Sequence, residues 1–340
     1  MCDERQGCVA LGYPGGMPVG RPRFALGMDG PVSAVRSGVT PECADPDPGR
    51  GASARSVLFT VLGEYLREPD RQVWTATLLT ALREMGIKES AARQSLSRTA
   101  RAGWLRSTSY GRRMRWRLSP VALEHLAESA DEIYRRRRDP PAWDGTWLVL
   151  MTSVPESRRE LRHRLRTRLR WAGFGPLGQG VWLTPRADAE PLARRVLAEL
   201  GLTANVLSVL GRIGGLGSEY EVVNRAWDLA GLARDYNSFE AEFPALVAGA
   251  GCSVPGRSVF AEHTLMVQRW REFALRDPVL PAELLPARWV GRLAAQRFYQ
   301  RHDALYRPAL RWLEEVDRAW DAGVGHGLVD VSLPIVTDLS

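Results

Sequence analysis

The segment from Trp74 to Leu118 constrains the fold of this chain more than any other, because its sequence encodes two short helices followed by a β-hairpin. Apolar residues at helical spacing predict a first helix beginning near Thr75 or Thr77, and Gly86 supplies a left-handed residue to end it. After a tight turn, the pattern predicts a second helix from Glu89 to Ala102. The segment therefore has the order of a helix-turn-helix.

The second predicted helix has two chemically different faces. The inner face is narrow and suits close packing on a neighbouring helix, and it consists of Ala92, Leu96, Thr99 and Gly103. The outer face carries hydroxyl, amide and guanidinium groups, supplied by Ser90, Gln94, Ser97, Arg98 and Arg101, with Arg93 on its flank. Arginine and glutamine side chains recognise guanine and adenine through paired hydrogen bonds in the major groove of DNA. We therefore predict that this outer face binds DNA.

The hairpin that follows is strongly basic. In its second strand Arg113, Arg115 and Arg117 alternate with apolar residues, which predicts one buried face and one solvated cationic face. Gly111 lies at the predicted tip, and Arg112 beside it adds a further charge. Such a hairpin resembles the wing of a winged helix, and its arginines suit phosphates or the minor groove.

Either feature alone is less specific than the two together. Helix-turn-helix patterns also occur in proteins that bind no nucleic acid, and a winged helix can also serve as a protein-interaction module. A protein-binding hairpin has no need of an all-arginine face, so the hairpin favours DNA. The charge distribution agrees, because residues 55–138 carry seventeen basic and nine acidic side chains, while the whole chain has a net charge of +7.

The flanking segments carry little chemistry of their own. Residues 1–52 are rich in glycine and proline without periodicity, which predicts a disordered extension, and residues 326–340 are predicted to form a tail. The four cysteines have neither disulfide nor zinc-ligand spacing. Without an export signal or a long apolar run, we expect a cytoplasmic protein that does not associate with membranes.

Beyond the hairpin the pattern changes to a small α+β domain. The predicted order over residues 140–214 is strand, helix, strand pair, helix and strand, which is typical of a ferredoxin-like sandwich. The glycine-rich run from Gly173 to Gly180 has no Lys-Ser/Thr ending, so we interpret it as a hairpin turn and not as a phosphate loop.

The last predicted domain, residues 215–325, is helical. Aromatic and aliphatic residues recur at helical spacing in three stripes, which begin at Tyr220, Met266 and Leu305 and are expected to form core. No catalytic constellation emerges anywhere, since the five histidines are scattered and no Gly-x-Ser-x-Gly motif is present. We therefore predict no enzyme activity, no catalytic residue and no metal site.

Several motifs together resemble the phenylacetic-acid-degradation repressor (PaaX) family. In the N-terminal half they are Ser56 to Leu66, the helix-turn-helix, Gly103-Trp104-Leu105, Tyr110-Gly111-Arg112-Arg113 and Trp143-Asp144-Gly145-Thr146-Trp147. In the C-terminal half they are Trp270-Arg271-Glu272-Phe273, Asp277-Pro278 and Leu280-Pro281-Ala282-Glu283-Leu284-Leu285-Pro286. The resemblance extends from about Ser53 to about Trp320.

This resemblance implies a transcriptional repressor of three parts: a winged helix-turn-helix (residues 53–139), a ferredoxin-like central domain akin to a small CRISPR-associated nuclease, and a helical domain for effector binding and dimerisation. It implies a homodimer that binds a palindromic operator of a phenylacetate-like catabolic operon. It also implies release from DNA by an aryl-acyl coenzyme A effector such as phenylacetyl coenzyme A, whose binding residues the sequence leaves unknown.

Two functional interpretations remain open. In the first, Ser90, Arg93, Gln94, Ser97 and Arg98 read bases in the major groove, and Arg101, Arg112, Arg113 and Arg115 hold phosphates or the minor groove. In the second, the central domain is a metal-dependent nuclease. No acidic residue follows the first central strand at Met151-Thr152-Ser153, so the sequence favours the DNA-binding repressor.

Overall fold

A computed structural model of the chain describes residues 53–130, 134, 142–215, 217–244, 258–274 and 276–322. The predicted extension and tail lie outside these residues. Among the described helices, none combines the length and the apolar character needed to cross a membrane.

The N-terminal part consists of helices around a small antiparallel sheet. Its elements are α1 (Ala54–Tyr65), β1 (Val73–Trp74), α2 (Thr75–Glu84), α3 (Glu89–Arg101), β2 (Leu105–Tyr110), β3 (Arg113–Leu118) and α4 (Pro120–Ala130). The strands lie in the order β1-β3-β2, with β3 between the other two. Leucine and valine side chains from α1 and α2, together with Ala92 and Leu96 of α3, form one buried core.

Local signals explain where these elements begin and end. The helix expected to begin near Thr75 is α2, and it begins at that residue. It ends at Glu84, and Gly86 shortly after it has the left-handed φ of 75°. Gly111 occupies the hairpin tip with φ 61°, a conformation that glycine adopts without steric cost. At the start of α4, the hydroxyl of Ser119 accepts a hydrogen bond from the backbone N–H of Ala122 at 3.2 Å. The positions predicted from local sequence are therefore confirmed for the start of α2 and for the tip of the hairpin.

The central part is a four-stranded antiparallel sheet with two helices. Its elements are β4 (Trp147–Thr152), α5 (Arg159–Trp171), β5 (Gly175–Gly178), β6 (Val181–Thr184), α6 (Glu190–Glu199) and β7 (Val206–Gly211). The strand order β5-β6-β4-β7, all antiparallel, fits the expected ferredoxin-like fold. The glycine-rich run forms the β5–β6 hairpin, as expected.

The two faces of this sheet have different neighbours. Leu148 and Leu150 of β4 share a buried core with Leu165 and Leu169 of α5. Because side chains alternate along a strand, Met151 points to the opposite face. Helices α5 and α6 therefore cover one face of the sheet, and β7 forms an edge.

The C-terminal part is helical, as predicted. Its helices are α7 (Glu219–Ala226), α8 (Leu229–Glu242), α9 (Val259–Ala274) and α10 (Val290–Asp321). Stacked aromatic rings fill the core between α8, α9 and α10; for example, Trp270 and Phe298 stack with centroids 4.2 Å apart. One prediction of a core residue is wrong: Tyr220 is exposed, because α7 buries only Val223 and Ala226.

Helix α10 joins the C-terminal helices to the N-terminal part. It contains 32 residues and is therefore about 48 Å long. Its second half contributes Leu310, Trp312 and Leu313 to the same buried core as α1 and α2. The N-terminal helices and α10 therefore share one hydrophobic core, although they are far apart in the sequence.

Candidate nucleic-acid interface

The outer face of α3 is fully presented to solvent. Ala92, Ser95, Leu96 and Thr99 are buried. The exposed residues are the predicted DNA contacts, Ser90, Arg93, Gln94, Ser97, Arg98 and Arg101. The faces of α3 thus match the expectation except at Gly103, which follows the end of the helix and is exposed. The small inner residues let the helix pack on α1 and α2.

Two arginines on this face are held by neighbours one turn away. The guanidinium of Arg93 lies 2.7 Å from the carboxylate of Glu89, and Arg101 donates a hydrogen bond to the hydroxyl of Ser97 at 3.0 Å. Within the described part of the chain, Gln94 and Arg98 have no such partner. The donors and acceptors of Gln94 and Arg98 are therefore available to a ligand. The (i, i+4) contacts of Arg93 and Arg101 orient these two arginines.

The hairpin is fixed to the start of α2. Trp116 of β3 donates a hydrogen bond from its indole nitrogen to the hydroxyl of Thr75 at 2.8 Å, and Thr75 donates to the carbonyl of Met114 at 3.2 Å. Since α2 in turn packs on α3, the hairpin and the exposed face of α3 keep a defined relative position.

The arginine face of β3 differs from the expected solvated face. Arg112 and Arg113 are exposed, and Arg113 donates a hydrogen bond to the carbonyl of Trp320 at 2.7 Å. Arg115 is only 23% exposed, and it lies 3.4 Å from the carboxylates of both Asp317 and Asp321. The expectation of a fully solvated face is therefore wrong for Arg115, because the end of α10 packs against this strand.

The ring of Trp74 also contacts the arginine face of β3. Arg115 lies over the ring of Trp74 at 4.5 Å from the centroid, and Arg113 lies over the same ring at 5.8 Å. At these distances a guanidinium is attracted to the ring quadrupole. Further along the strand, Arg117 forms an ion pair with Asp70 at 2.8 Å. The structure thus leaves Arg112 and Arg113 as the accessible cations of the hairpin tip.

Asp317 is a residue that sequence reasoning missed. Its carboxylate accepts hydrogen bonds from the backbone N–H of Trp74 at 2.9 Å and from the hydroxyl of Thr77 at 2.6 Å. Both donors lie at the start of α2, where a carboxylate also interacts favourably with the helix dipole. More than 200 residues separate these partners, so no local pattern indicates the contact.

Three family models match the chain. The model described as "PaaX-like protein" matches residues 53–122, "PaaX protein central Cas2-like domain" matches residues 140–223, and "PaaX-like protein C-terminal domain" matches residues 227–315. The chain belongs to the PaaX family. The resemblance inferred from the sequence motifs is therefore confirmed, and the Cas2-like assignment agrees with the ferredoxin-like sheet.

Two individual proteins are similar to this chain, and the first is itself named as PaaX. The transcriptional repressor PaaX of Escherichia coli (strain K12) is 30% identical over 262 residues, which cover 73% of this chain and 80% of the relative. An uncharacterized protein of Mycobacterium tuberculosis, Rv0674, has a similar solved structure, with a TM-score of 0.52 and 25% identity. That similarity covers 76% of this chain and 99% of the other.

Proposed function

We propose that this chain is a DNA-binding transcriptional repressor and that α2, α3 and the β2–β3 hairpin form a winged helix-turn-helix. The observation that carries the proposal is the polar and cationic outer face of α3, exposed beside a basic hairpin tip. Two further points support it: the net positive charge of residues 55–138, and the 30% identity to a protein named as a transcriptional repressor.

In this proposal α3 lies in the major groove. Ser90, Arg93, Gln94, Ser97 and Arg98 face the base edges, with Gln94 and Arg98 free to make paired hydrogen bonds. Arg101, Arg112 and Arg113 contact phosphates or the minor groove. Arg115 contributes positive charge beside them, but its ion pairs with α10 make it mainly a positioning residue for the hairpin.

We further propose that the protein acts as a homodimer on a palindromic operator. On the second face of the central sheet Trp147 and Leu183 pack against Val223 and Ala226 of α7, and the end of this face that α7 leaves uncovered supports the proposal. Met151 pairs with Leu207 in the β4–β7 ladder, and Val209 follows on the same face; these side chains are 39%, 59% and 43% exposed. We call these three residues the open-face patch. An apolar patch beside a sheet edge favours association with another copy of the chain.

The effector remains the aryl-acyl coenzyme A thioester that the family resemblance implies, with phenylacetyl coenzyme A as the first compound to test. An effector can release DNA only if it binds the DNA-free conformation better than the bound one. Helix α10 offers a physical route for such coupling, because it lies in the core of the C-terminal helices and also contacts the hairpin arginines.

The decisive experiment is a pull-down of DNA fragments from the protein's own promoter region by the full-length chain. We expect selective retention of one palindromic fragment and its release by a member of an acyl coenzyme A panel. Retention of every fragment alike, with the same salt dependence, would contradict sequence-specific repression.

The nuclease interpretation has less support. Among the described residues, the central sheet brings no three acidic or histidine side chains together as metal ligands. Incubation of the protein with labelled RNA and DNA plus magnesium or manganese tests it directly. Metal-dependent turnover that is lost when the central domain is altered would make the nuclease the better proposal.

A further inference from the structure

A buried cluster of metal-ligating side chains lies between α1, α9 and α10. Glu64 comes from α1, His263 from α9 and His302 from α10, and all three side chains are buried. One potential ligand atom from each lies within 4.8 Å of the other two. Helices from distant parts of the sequence thus converge on one point, which the scattered histidine positions do not reveal.

The distances within the cluster are close to those of a metal site. Nε2 of His302 lies 3.1 Å from a carboxylate oxygen of Glu64, and the two imidazole rings have centroids 4.9 Å apart. Bonds of about 2.0–2.1 Å at tetrahedral angles put ligand atoms roughly 3.4 Å apart. Glu64 and His302 already satisfy this spacing, and His263 needs to approach by no more than roughly 1.4 Å.

The groups around the cluster orient its members as in known metal sites. Tyr65 forms a hydrogen bond with Nδ1 of His263 at 2.7 Å, and Tyr134 donates a hydrogen bond to the other carboxylate oxygen of Glu64. Metal-binding histidines and carboxylates characteristically have such partners on the atom that does not bind the ion. These two hydrogen bonds use Nδ1 of His263 and one oxygen of Glu64. Nε2 of His263 and the other oxygen of Glu64 therefore remain as potential ligand atoms.

The remaining nitrogen of His263 is the atom that hydrogen bonding does not explain. Nε2 of His263 is buried and has no hydrogen-bond partner in the described part of the chain. Buried polar atoms in native proteins nearly always have a partner. When Nδ1 of a neutral imidazole donates its proton to Tyr65, Nε2 carries the lone pair that a cation requires.

The carboxylate supplies the anionic ligand of the cluster. One oxygen of Glu64 accepts the hydrogen bond from Tyr134, and the other lies at hydrogen-bond distance from Nε2 of His302. Metal binding requires an ionised carboxylate and neutral imidazoles, so an ion that enters the site displaces the proton held between His302 and Glu64.

We propose that Glu64, His263 and His302 bind one divalent transition-metal ion, with zinc as the best match. Two imidazoles and one carboxylate suit zinc, whereas magnesium and calcium prefer sites made of oxygen ligands. The ion would fasten α1, which belongs to the proposed DNA-binding part, to the C-terminal helices α9 and α10. This site is independent of the proposed repressor function and can be tested without DNA.

The experiment uses the full-length chain, stripped with a chelator and titrated with zinc in competition with a chromophoric indicator. We expect one tightly bound ion per chain and a zinc-dependent rise in Tm, because a ligand that binds only the folded state stabilises it. The His263→Gln variant should bind at least 100-fold more weakly. The matched control is His163→Gln, an exposed histidine on α5, which should bind as the unaltered protein does.

Two further measurements keep the test decisive if His263→Gln does not fold. Tyr65→Phe retains all three ligands but removes the hydrogen bond to His263, and zinc affinity should fall by about 10- to 100-fold. Cobalt substituted for zinc should give visible absorption bands without a thiolate charge-transfer band. Such a charge-transfer band would assign the ion to cysteines and overturn the proposal, as would the absence of stoichiometric binding or equal affinity in Tyr65→Phe.

Discussion

The carboxylate of Asp317 lies 3.4 Å from the guanidinium of Arg115, which joins the last turns of α10 to the middle strand of the hairpin sheet. The same carboxylate accepts hydrogen bonds from Trp74 and Thr77 at the start of α2. Helix α10 also packs against α8 and α9. One residue on the C-terminal helix thus positions both the hairpin and α2, the helix on which α3 packs.

Removing the Asp317 carboxylate should destabilise the protein. In Asp317→Ala the N–H of Trp74 and the hydroxyl of Thr77 lose their acceptor, so we expect a loss of about 1–3 kcal/mol in the free energy of unfolding. Asp317→Asn retains an acceptor oxygen and loses only the charge, so its loss should be about 1 kcal/mol or less. Urea denaturation measures both. Equal stabilities of the two variants would show that the hydrogen bonds to α2 contribute nothing.

The β5–β6 hairpin should tolerate substitution at one glycine and not at another. Gly180 has φ 75°, and a Cβ there would lie 2.2 Å from the carbonyl oxygen of Thr152. We therefore expect Gly180→Ala to cost about 2 kcal/mol or more, from the left-handed backbone and the overlap. Gly178→Ala is the matched control, since nothing lies within 4 Å of its added Cβ. Thermal denaturation should place only the Gly180 variant well below the unaltered protein.

A charge on the open-face patch should weaken the proposed dimer. Leu207→Glu places a carboxylate among Met151 and Val209, where a second copy of the chain would desolvate it. Light scattering after size exclusion should show a concentration-dependent shift from dimer to monomer. The control is Leu192→Glu on α6, which is also exposed but lies outside the patch. A Leu207→Glu protein that remains dimeric at the same concentrations would place the dimer interface elsewhere.

Elements that depend on local sequence were predictable. The spacing of apolar residues and Gly86 located α2 and α3, and alternation around Gly111 located the hairpin, because capping and periodicity act within one or two turns. The inner and outer faces of α3 follow from the same periodicity. The α+β order of the central part was also predictable, since each strand and helix has its own local pattern.

Contacts between distant segments were not predictable from one sequence. Asp317 and Arg115 are 202 residues apart, and Glu64 and His302 are 238 apart. Their meeting depends on how α10 packs across α1 and α2, and apolar periodicity specifies which face of a helix is buried but not against which partner. This is why Arg115 was expected in solvent and the histidines were expected to lie alone.

Arg113→Ala should weaken binding to all DNA sequences. Its guanidinium lies at the accessible hairpin tip, where a phosphate contact would release about 0.9 counterion. We expect the slope of log Kd against log salt concentration to fall by about one unit, with similar loss on operator and random DNA. The control is Arg194→Ala, an exposed arginine on α6 in the central part. An unchanged slope for Arg113→Ala would remove this residue from the phosphate contacts.

Gln94→Ala should instead affect one base position. The Gln94 amide is exposed on the outer face of α3 without a partner in the described residues, and a glutamine that makes paired hydrogen bonds to adenine discriminates by about 1–3 kcal/mol. Binding to the operator should fall by that amount, while binding to random DNA should stay the same. Operators with each base substituted in turn identify the contacted position, because there the variant no longer distinguishes the bases. Equal loss on operator and random DNA would assign Gln94 to the backbone and move base recognition to Arg98 or Arg93.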